Sequence, residues 1–346
     1  MRRTALLSIV LLSLIGIATT NFVSKASSAT SKAEDDFQLV KVADGIYAAI
    51  AKPGGLAAGN AGFIVGDGGV LIVDTFFTPA AIEELIGEIA TQTKLPIKYA
   101  VNTHYHLDHT GGNQVLAARG VPIIAHDNVM AWQMTKNTRF LPAAADLQKR
   151  RADAEKQLSE TPADQKDKRT TLERQLRRLD AIQQIKLTQP SVTFGGGAMS
   201  VYLGSREVKL FTLPGHTGGD VLVYVPDANV IFTGDMGWSR TLPNLVDATV
   251  LDWIKSLERI LADHAAAKFI PGHGEVATAV EMREFRDYLD DLRRAVQLAI
   301  DDKLTVEQAK TQVVLPDRYK KFAFQNFAQP NIEDMYRELT GTKNTK

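Results

Sequence analysis

Three histidines and an aspartate fall within six residues: His104, His106, Asp108 and His109, in the run Asn102-Thr103-His104-Tyr105-His106-Leu107-Asp108-His109-Thr110-Gly111-Gly112. Imidazole and carboxylate groups gathered this closely are costly to bury without a partner. A divalent metal is such a partner. Residues two apart on an extended chain point the same way, so His104 and His106 can present both rings to one ion. The turn at Leu107 then redirects Asp108 and His109 toward a second ion nearby. Gly111 and Gly112 let the chain tighten before the next element.

Three later segments offer more of the same chemistry. Leu213-Pro214-Gly215-His216-Thr217-Gly218-Gly219 carries His216 on a glycine-rich turn after a strand. Phe232-Thr233-Gly234-Asp235 carries a carboxylate at an expected strand end. Ile270-Pro271-Gly272-His273-Gly274 carries a histidine in a tight turn. Together with the first cluster, these segments use five of the chain's 7 histidines. With 0 cysteines, the chain can form no disulfide, zinc finger, iron–sulfur cluster or thiol nucleophile. Any metal must be held by nitrogen and oxygen donors, which suits Zn, Fe or Mn.

The elements that position these residues follow from pattern. Residues 62–65 and 70–73 are β-rich and flank Asp67-Gly68-Gly69, a hairpin turn. Pro79 opens a helix to about Thr91, with Ile82, Leu85, Ile86 and Ile89 on one face. Residues 97–102 and 122–125 read as strands around a helix at 114–119. Strands are expected again at 200–203, 207–213, 221–225 and 230–233. Helices follow at 251–262, 276–300, 306–312 and 332–339. This alternation predicts an α/β layered domain spanning residues 37–300, followed by a C-terminal helical extension at 301–346. Residues 143–187 are rich in Ala, Lys, Arg, Glu and Gln and break near Thr161-Pro162-Ala163-Asp164. They read as an inserted antiparallel helical hairpin: a partly packed excursion, or a lid or dimer contact.

The first 29 residues read as a signal peptide and leader. Arg2 and Arg3 precede an apolar run from Ala5 to Ala18, and small residues follow. That run falls short of the ~20 residues a spanning helix needs. The expected destination is the periplasm or the outside, with no membrane insertion after the signal is removed. The chain's 346 residues carry a formal net charge of +0. Such a balance gives nucleic acid no attractive surface, so the expected partner is a small-molecule substrate.

The spaced set HxHxDH, GHT, GD and GHG resembles the metallo-β-lactamase superfamily, from about Phe37 to Gly274 around the insertion. The resemblance implies a four-layer αββα sandwich with its site at the edge between two sheets. It implies that His104, His106 and His216 hold a first metal, that Asp108, His109 and His273 hold a second, and that Asp235 bridges both. Asp74, in Ile72-Val73-Asp74-Thr75, matches the family's early aspartate, which supports a ligand from behind. Asp108 is the catalytic candidate, orienting the nucleophile and passing its proton. Tyr105, Trp238 and Asn244 are candidates for the substrate pocket; His126 and His264 read as structural.

Two metals ~3.5–4 Å apart can share a hydroxide that attacks a carbonyl or phosphoryl centre. The expected function is a dizinc hydrolase acting on a small ester, lactone, thioester or cyclic amide, a β-lactam included. Cysteine-ligated β-lactamases are excluded, and Asp235 departs from the all-His/Asp β-lactamase pattern. Two alternatives stay open: a persulfide dioxygenase with one iron on His104, His216 and Asp235, and a non-catalytic metal-binding protein. The sequence leaves the oligomeric state undecided.

Overall fold

The computed structural model describes residues 36–343. The expected signal peptide and leader lie outside the described residues.

Strands β1 (Phe37–Ala43), β2 (Ile46–Ala51), β3 (Ala61–Gly66) and β4 (Gly69–Val73) run as an antiparallel meander. Gly66 pairs with Gly69 across the two-residue turn Asp67-Gly68, the hairpin that the sequence announces. Helix α1 (Pro79–Gln92) starts where expected: Pro79 opens it and the Thr78 hydroxyl accepts from the Ala81 amide. It leads to β5 (Ile97–Val101), parallel to β4. Then come α2 (Leu107–Thr110), α3 (Asn113–Ala118), β6 (Ile123–His126) and α4 (Asp127–Gln133). The hairpin α5 (Ala144–Glu160) and α6 (Lys166–Gln183) follows, and β7 (Val192–Phe194) completes a seven-stranded sheet in the order β1 to β7.

The second sheet contains β8 (Ala198–Leu203), β9 (Arg206–Thr212), β10 (Val221–Val225), β11 (Val230–Trp238) and β12 (Lys268–His273), in the order β12-β11-β10-β9-β8. Helix α7 (Val250–Asp263) connects β11 to β12, and α8 (Ala279–Asp301), α9 (Val306–Gln312) and α10 (Ala328–Leu339) end the chain.

Side-chain alternation builds the layers. On the first sheet Ile64, Leu71 and Val73 pack against Val208, Leu210, Val223 and Phe232 of the second. Their sequence neighbours Phe63, Val70 and Ile72 pack outward on Ile82, Leu85 and Leu116 of α1 and α3. On the second sheet Leu222, Ile231 and Phe269 pack outward on Trp253, Leu257, Phe285 and Leu289 of α7 and α8. The result is the expected four-layer αββα sandwich. Leu85→Ala in the outer layer removes a fully buried side chain, a change worth ~2–5 kcal/mol.

Four details differ from the sequence reading. Strand β11 does not stop at Thr233 but continues through Asp235 to Trp238, with pairing to β12 that slips between Phe232 and Gly234 and again before Trp238. Gly234 makes this possible, because it adopts φ +49° and its α-carbon abuts Thr103, leaving no room for a Cβ. Strands β1, β2 and β7 and the short helices α2 and α4 were not legible from periodicity. Helix α10 starts at Ala328, four residues before the expected Ile332. Finally, the C-terminal helical extension, described to residue 343, packs into the domain: Ala309, Tyr319, Phe322, Ile332 and Met335 share the core of α7 and α8.

The inserted hairpin is antiparallel, as expected. Arg151 on α5 meets Asp180 on α6, and Arg169 near the start of α6 donates to the Leu158 and Thr161 carbonyls at the end of α5. It is anchored to the domain, since Ala181 joins the core under α1 and Arg177 pairs with Asp36. Among the described residues no helix is long and apolar enough to cross a membrane.

Candidate metal centre

Strand direction gathers the donors. Strand β9 is antiparallel to β10, which is antiparallel to β11, which is parallel to β12. Strands β9, β11 and β12 therefore share a direction, and His216, Asp235 and His273 emerge at one end of the second sheet. Parallel β4 and β5 deliver Asp74 and the His104–His109 loop at the end of the first sheet. The Val221 amide donates to the Thr103 carbonyl at 2.7 Å, tying the two loops together.

Two donor groups result: His104, His106, His216 and Asp235, all buried, and Asp108, His109 and His273. Within each group the donor atoms lie within 4.8 Å of one another. Asp235 reaches both groups. Its Oδ2 is 3.1 Å from His216 Nε2 and 3.7 Å from His104 Nε2. Its Oδ1 is 3.2 Å from His109 Nε2 and 3.5 Å from His273 Nε2. Gly272 packs so tightly against this carboxylate that a Cβ there would strike Oδ1.

The residues fit a metal pair. His104 Nε2, His109 Nε2 and Asp235 Oδ1 face this centre, buried and without hydrogen-bond partners; His216 Nδ1 is also unpaired. Orphaned buried polar atoms are expensive, and cations at this centre would remove that cost for His104 Nε2, His109 Nε2 and Asp235 Oδ1. The His106 Nδ1 and His216 Nε2 atoms stand 2.9 Å apart, two imidazole nitrogens aimed at one point.

The outer ring atoms of His104, His106 and His109 are held from behind, which sets which nitrogen faces inward. Thr103 Oγ1 lies 3.1 Å from His104 Nδ1. Asp74 Oδ2 lies 2.9 Å from His109 Nδ1, and Asp74 also accepts from the Thr103 amide and hydroxyl. Asp74 achieves this at φ +60°, an unusual conformation for a carboxylate residue at the end of a strand. Asp247 Oδ2 lies 3.4 Å from His106 Nε2 and also takes the Tyr105 hydroxyl and Arg139, while Lys136 approaches its Oδ1 at 3.5 Å. Trp238 stacks on His273, with centroids 4.3 Å apart, and donates its indole N–H to the Asp235 carbonyl.

Electrostatics differ across the centre. Burial pushes His104 well below the ordinary histidine range, aided by repulsion from His109 and only partly countered by Asp235, and it also lowers His106. For His273 burial opposes charging, but Asp235 and Asp108 outweigh it and lift the pKa to about 9. The same balance of burial against Asp235, Asp108 and Asp74 raises His109 well above its usual value. Burial disfavours the charged forms of Asp108 and Asp235, yet the surrounding imidazoles keep both below the ordinary carboxylate range.

An open cleft of about 700 Å³ leads to this centre. His106, Asp108, Asp235 and His273 line it, along with Trp238 and Asn244, two of the three expected pocket residues. Tyr105 is corrected: it is fully buried, does not reach the cleft, and braces the turn by donating to Asp247. His126 is structural, as read; its Nδ1 accepts from the Asn128 amide and caps α4. His264 ends α7 and packs on Phe211 and Tyr224. Asp247, Phe140, Arg178 and Phe324 were not foreseen. Each is a lone residue in a stretch with no motif around it, so no sequence pattern marks it.

The family model for the metallo-beta-lactamase superfamily matches residues 54–273. A metallo-beta-lactamase type 2 from Bacillus cereus is 24% identical over 294 residues, covering 80% of this chain and 94% of that protein. A hydroxyacylglutathione hydrolase from Brucella anthropi is 39% identical over 59 residues, 17% of this chain and 23% of that protein. Among solved structures, a metallo-beta-lactamase from Pontibacter korlensis matches with TM-score 0.54 at 18% identity, covering 74% of this chain and 99% of that one. The chain belongs to the metallo-beta-lactamase superfamily. As a member it is a metallo-hydrolase.

Proposed function

We propose that this chain is a dizinc hydrolase of a small ester, lactone, thioester or cyclic amide. The observation that carries the reading is the divided carboxylate of Asp235, with Oδ2 on the His104 and His216 side and Oδ1 on the His109 and His273 side. His104, His106 and His216 would hold one ion, Asp108, His109 and His273 the other, and Asp235 would bridge them. Zinc at both positions would activate water and polarise the scissile carbonyl.

The chain's own groups do the rest. Asp108 is the one carboxylate of the set with substantial exposure, 28% of its side chain, and its Oδ2 lies 3.2 Å from His273 Nε2. With its oxygen at the cleft, Asp108 would accept a proton from the attacking water and return it to the leaving group. Asp74 and Asp247 hold His109 and His106 in orientation. The buried walls around Asp235 keep bulk water from its carboxylate.

We propose export to the periplasm or the medium as well. The basic start, the apolar run and the small residues after it support that reading, and the N-terminal mass of the protein recovered from its host tests it.

The deciding experiment is metal quantification on the purified chain, together with turnover on a panel of esters, thioesters, lactones and β-lactams. Two zincs per chain with zinc-dependent hydrolysis is the expected result. One iron per chain with persulfide oxidation would replace the hydrolase reading, and zinc without turnover on any substrate would favour a binding protein.

A further inference from the structure

The helical hairpin carries a cation to the cleft. Arg178 on α6 directly precedes buried Leu179 and lies three residues before Ala181, which is seated in the domain core. These contacts fix the rotation of the helix, and Arg178 lines the same cleft as His106, Asp108 and His273. Its guanidinium lies over the Phe77 ring at 5.3 Å, and Nη1 donates to the Gly55 carbonyl at 3.3 Å. A guanidinium has five N–H donors, so most remain available. Elsewhere on the hairpin, Arg177 pairs with Asp36, and Arg151 with Glu155 and Asp180. Among the described residues no carboxylate lies within ion-pair distance of Arg178. Stacked and tethered, this side chain has already surrendered much of its rotamer freedom, so capturing an anion costs little further ordering. Phe140, Trp238, Phe324 and Phe327 also line the cleft and provide apolar surface.

We propose that Arg178 is the specificity-determining residue for a carboxylate on the substrate, so that the cleft selects substrates joining an apolar or aromatic body to a carboxylate. The planar guanidinium fork matches a carboxylate through two parallel hydrogen bonds. The inference rests on the hydrolase reading for the position of the scissile bond, but not for the recognition itself.

The test measures binding and turnover separately. By calorimetry on the zinc-loaded chain, N-phenylacetyl-β-alanine should bind about tenfold or more tightly than its primary amide, as charge-assisted hydrogen bonds of this kind allow. Arg178→Ala should bring that ratio close to one, and Arg178→Lys should recover part of it, lacking the fork. Arg178→Glu should invert the preference toward the analogue with an ammonium group in place of the carboxylate. The S-phenylacetyl thioesters of 3-mercaptopropanoate and of its carboxamide should show the same ratios in kcat/KM, mainly through KM. A wild-type ratio near one, or a ratio that residue 178 does not alter, overturns the proposal. Arg178-dependent binding without turnover on any panel substrate would sink the hydrolase reading and leave carboxylate recognition standing. Turnover indifferent to residue 178 would do the reverse.

Discussion

The two halves of the metal centre are built on different plans. His104, His106 and His216 are buried, with the Thr103 hydroxyl behind His104 and the Asp247 cluster behind His106. His109 and His273 stand among carboxylates, with Asp74 behind His109, Asp108 beside both and Asp235 between the halves. In the first half burial drives protons off His104 and His106, leaving their nitrogens ready for a cation. In the second, the carboxylates outweigh burial and raise both His109 and His273, favouring their protonated forms. The same donor chemistry thus gives one half whose imidazoles are ready for a cation and one in which a cation would compete with protons. The half that exposes a carboxylate to the cleft is the second.

Asp235 joins the halves, so its removal is the severest test. Asp235→Asn should strip metal from both groups and lower turnover by about 10³-fold or more, the scale of the transition-state stabilisation that metals supply. Loss of only one metal equivalent by elemental analysis would show that the halves are independent. Asp108→Asn should lower kcat by ~10²-fold or more while most of the metal remains, because positioned proton transfer is lost. If kcat stayed within about threefold of wild type, the role given to Asp108 would be wrong.

The supporting carboxylates separate the halves directly. Asp247→Asn should weaken metal binding at the first group and Asp74→Asn at the second, each by about 10–100-fold. Competition with a chromogenic chelator reads both affinities, and a swap of the two effects would break the assignment. A pH effect follows from the raised histidines. With His273 at about 9, protons occupy the second half at neutral pH and must leave when metal enters, so affinity there should rise as pH climbs toward that value. Calorimetry in buffers of different ionisation enthalpy measures the protons released, and none released at pH 7.5 would contradict the contrast. Tyr105→Phe is the mildest change. It removes one hydrogen bond to Asp247 and should cost about 1 kcal/mol in thermal or denaturant unfolding, with metal affinity nearly kept because Arg139 still holds the carboxylate.

Much of this candidate centre was legible because clustered imidazole and carboxylate donors leave a local trace. His104, His106, Asp108 and His109 sit within one turn, and His216, Asp235 and His273 each stand beside glycine, where the backbone approaches closely. The α1, α7 and α9 patterns were equally plain, since one-sided burial forces a helical period. Strands β1 and β2 were not, because β2 is buried on both faces and so lacks the alternation that marks a strand. The end of β11 was misplaced as well: the strand was expected to stop at Thr233, but pairing with β12 carries it on through Gly234 and Asp235 to Trp238.

The sequence by itself determined the donor types, the absence of thiol chemistry, the layered α/β class and the inserted hairpin, because each rests on local composition or period. It also singled out Asp74 and Trp238 by their place next to such runs. Only the tertiary structure decided that Asp235 faces both groups, that Asp247 braces His106, that Tyr105 is buried beneath the site, and that α6 brings Arg178 to the cleft. Those facts depend on contacts between segments 30 to 200 residues apart along the chain, roughly, and such pairings are set by strand order and core packing, which leave no mark in the residues nearby.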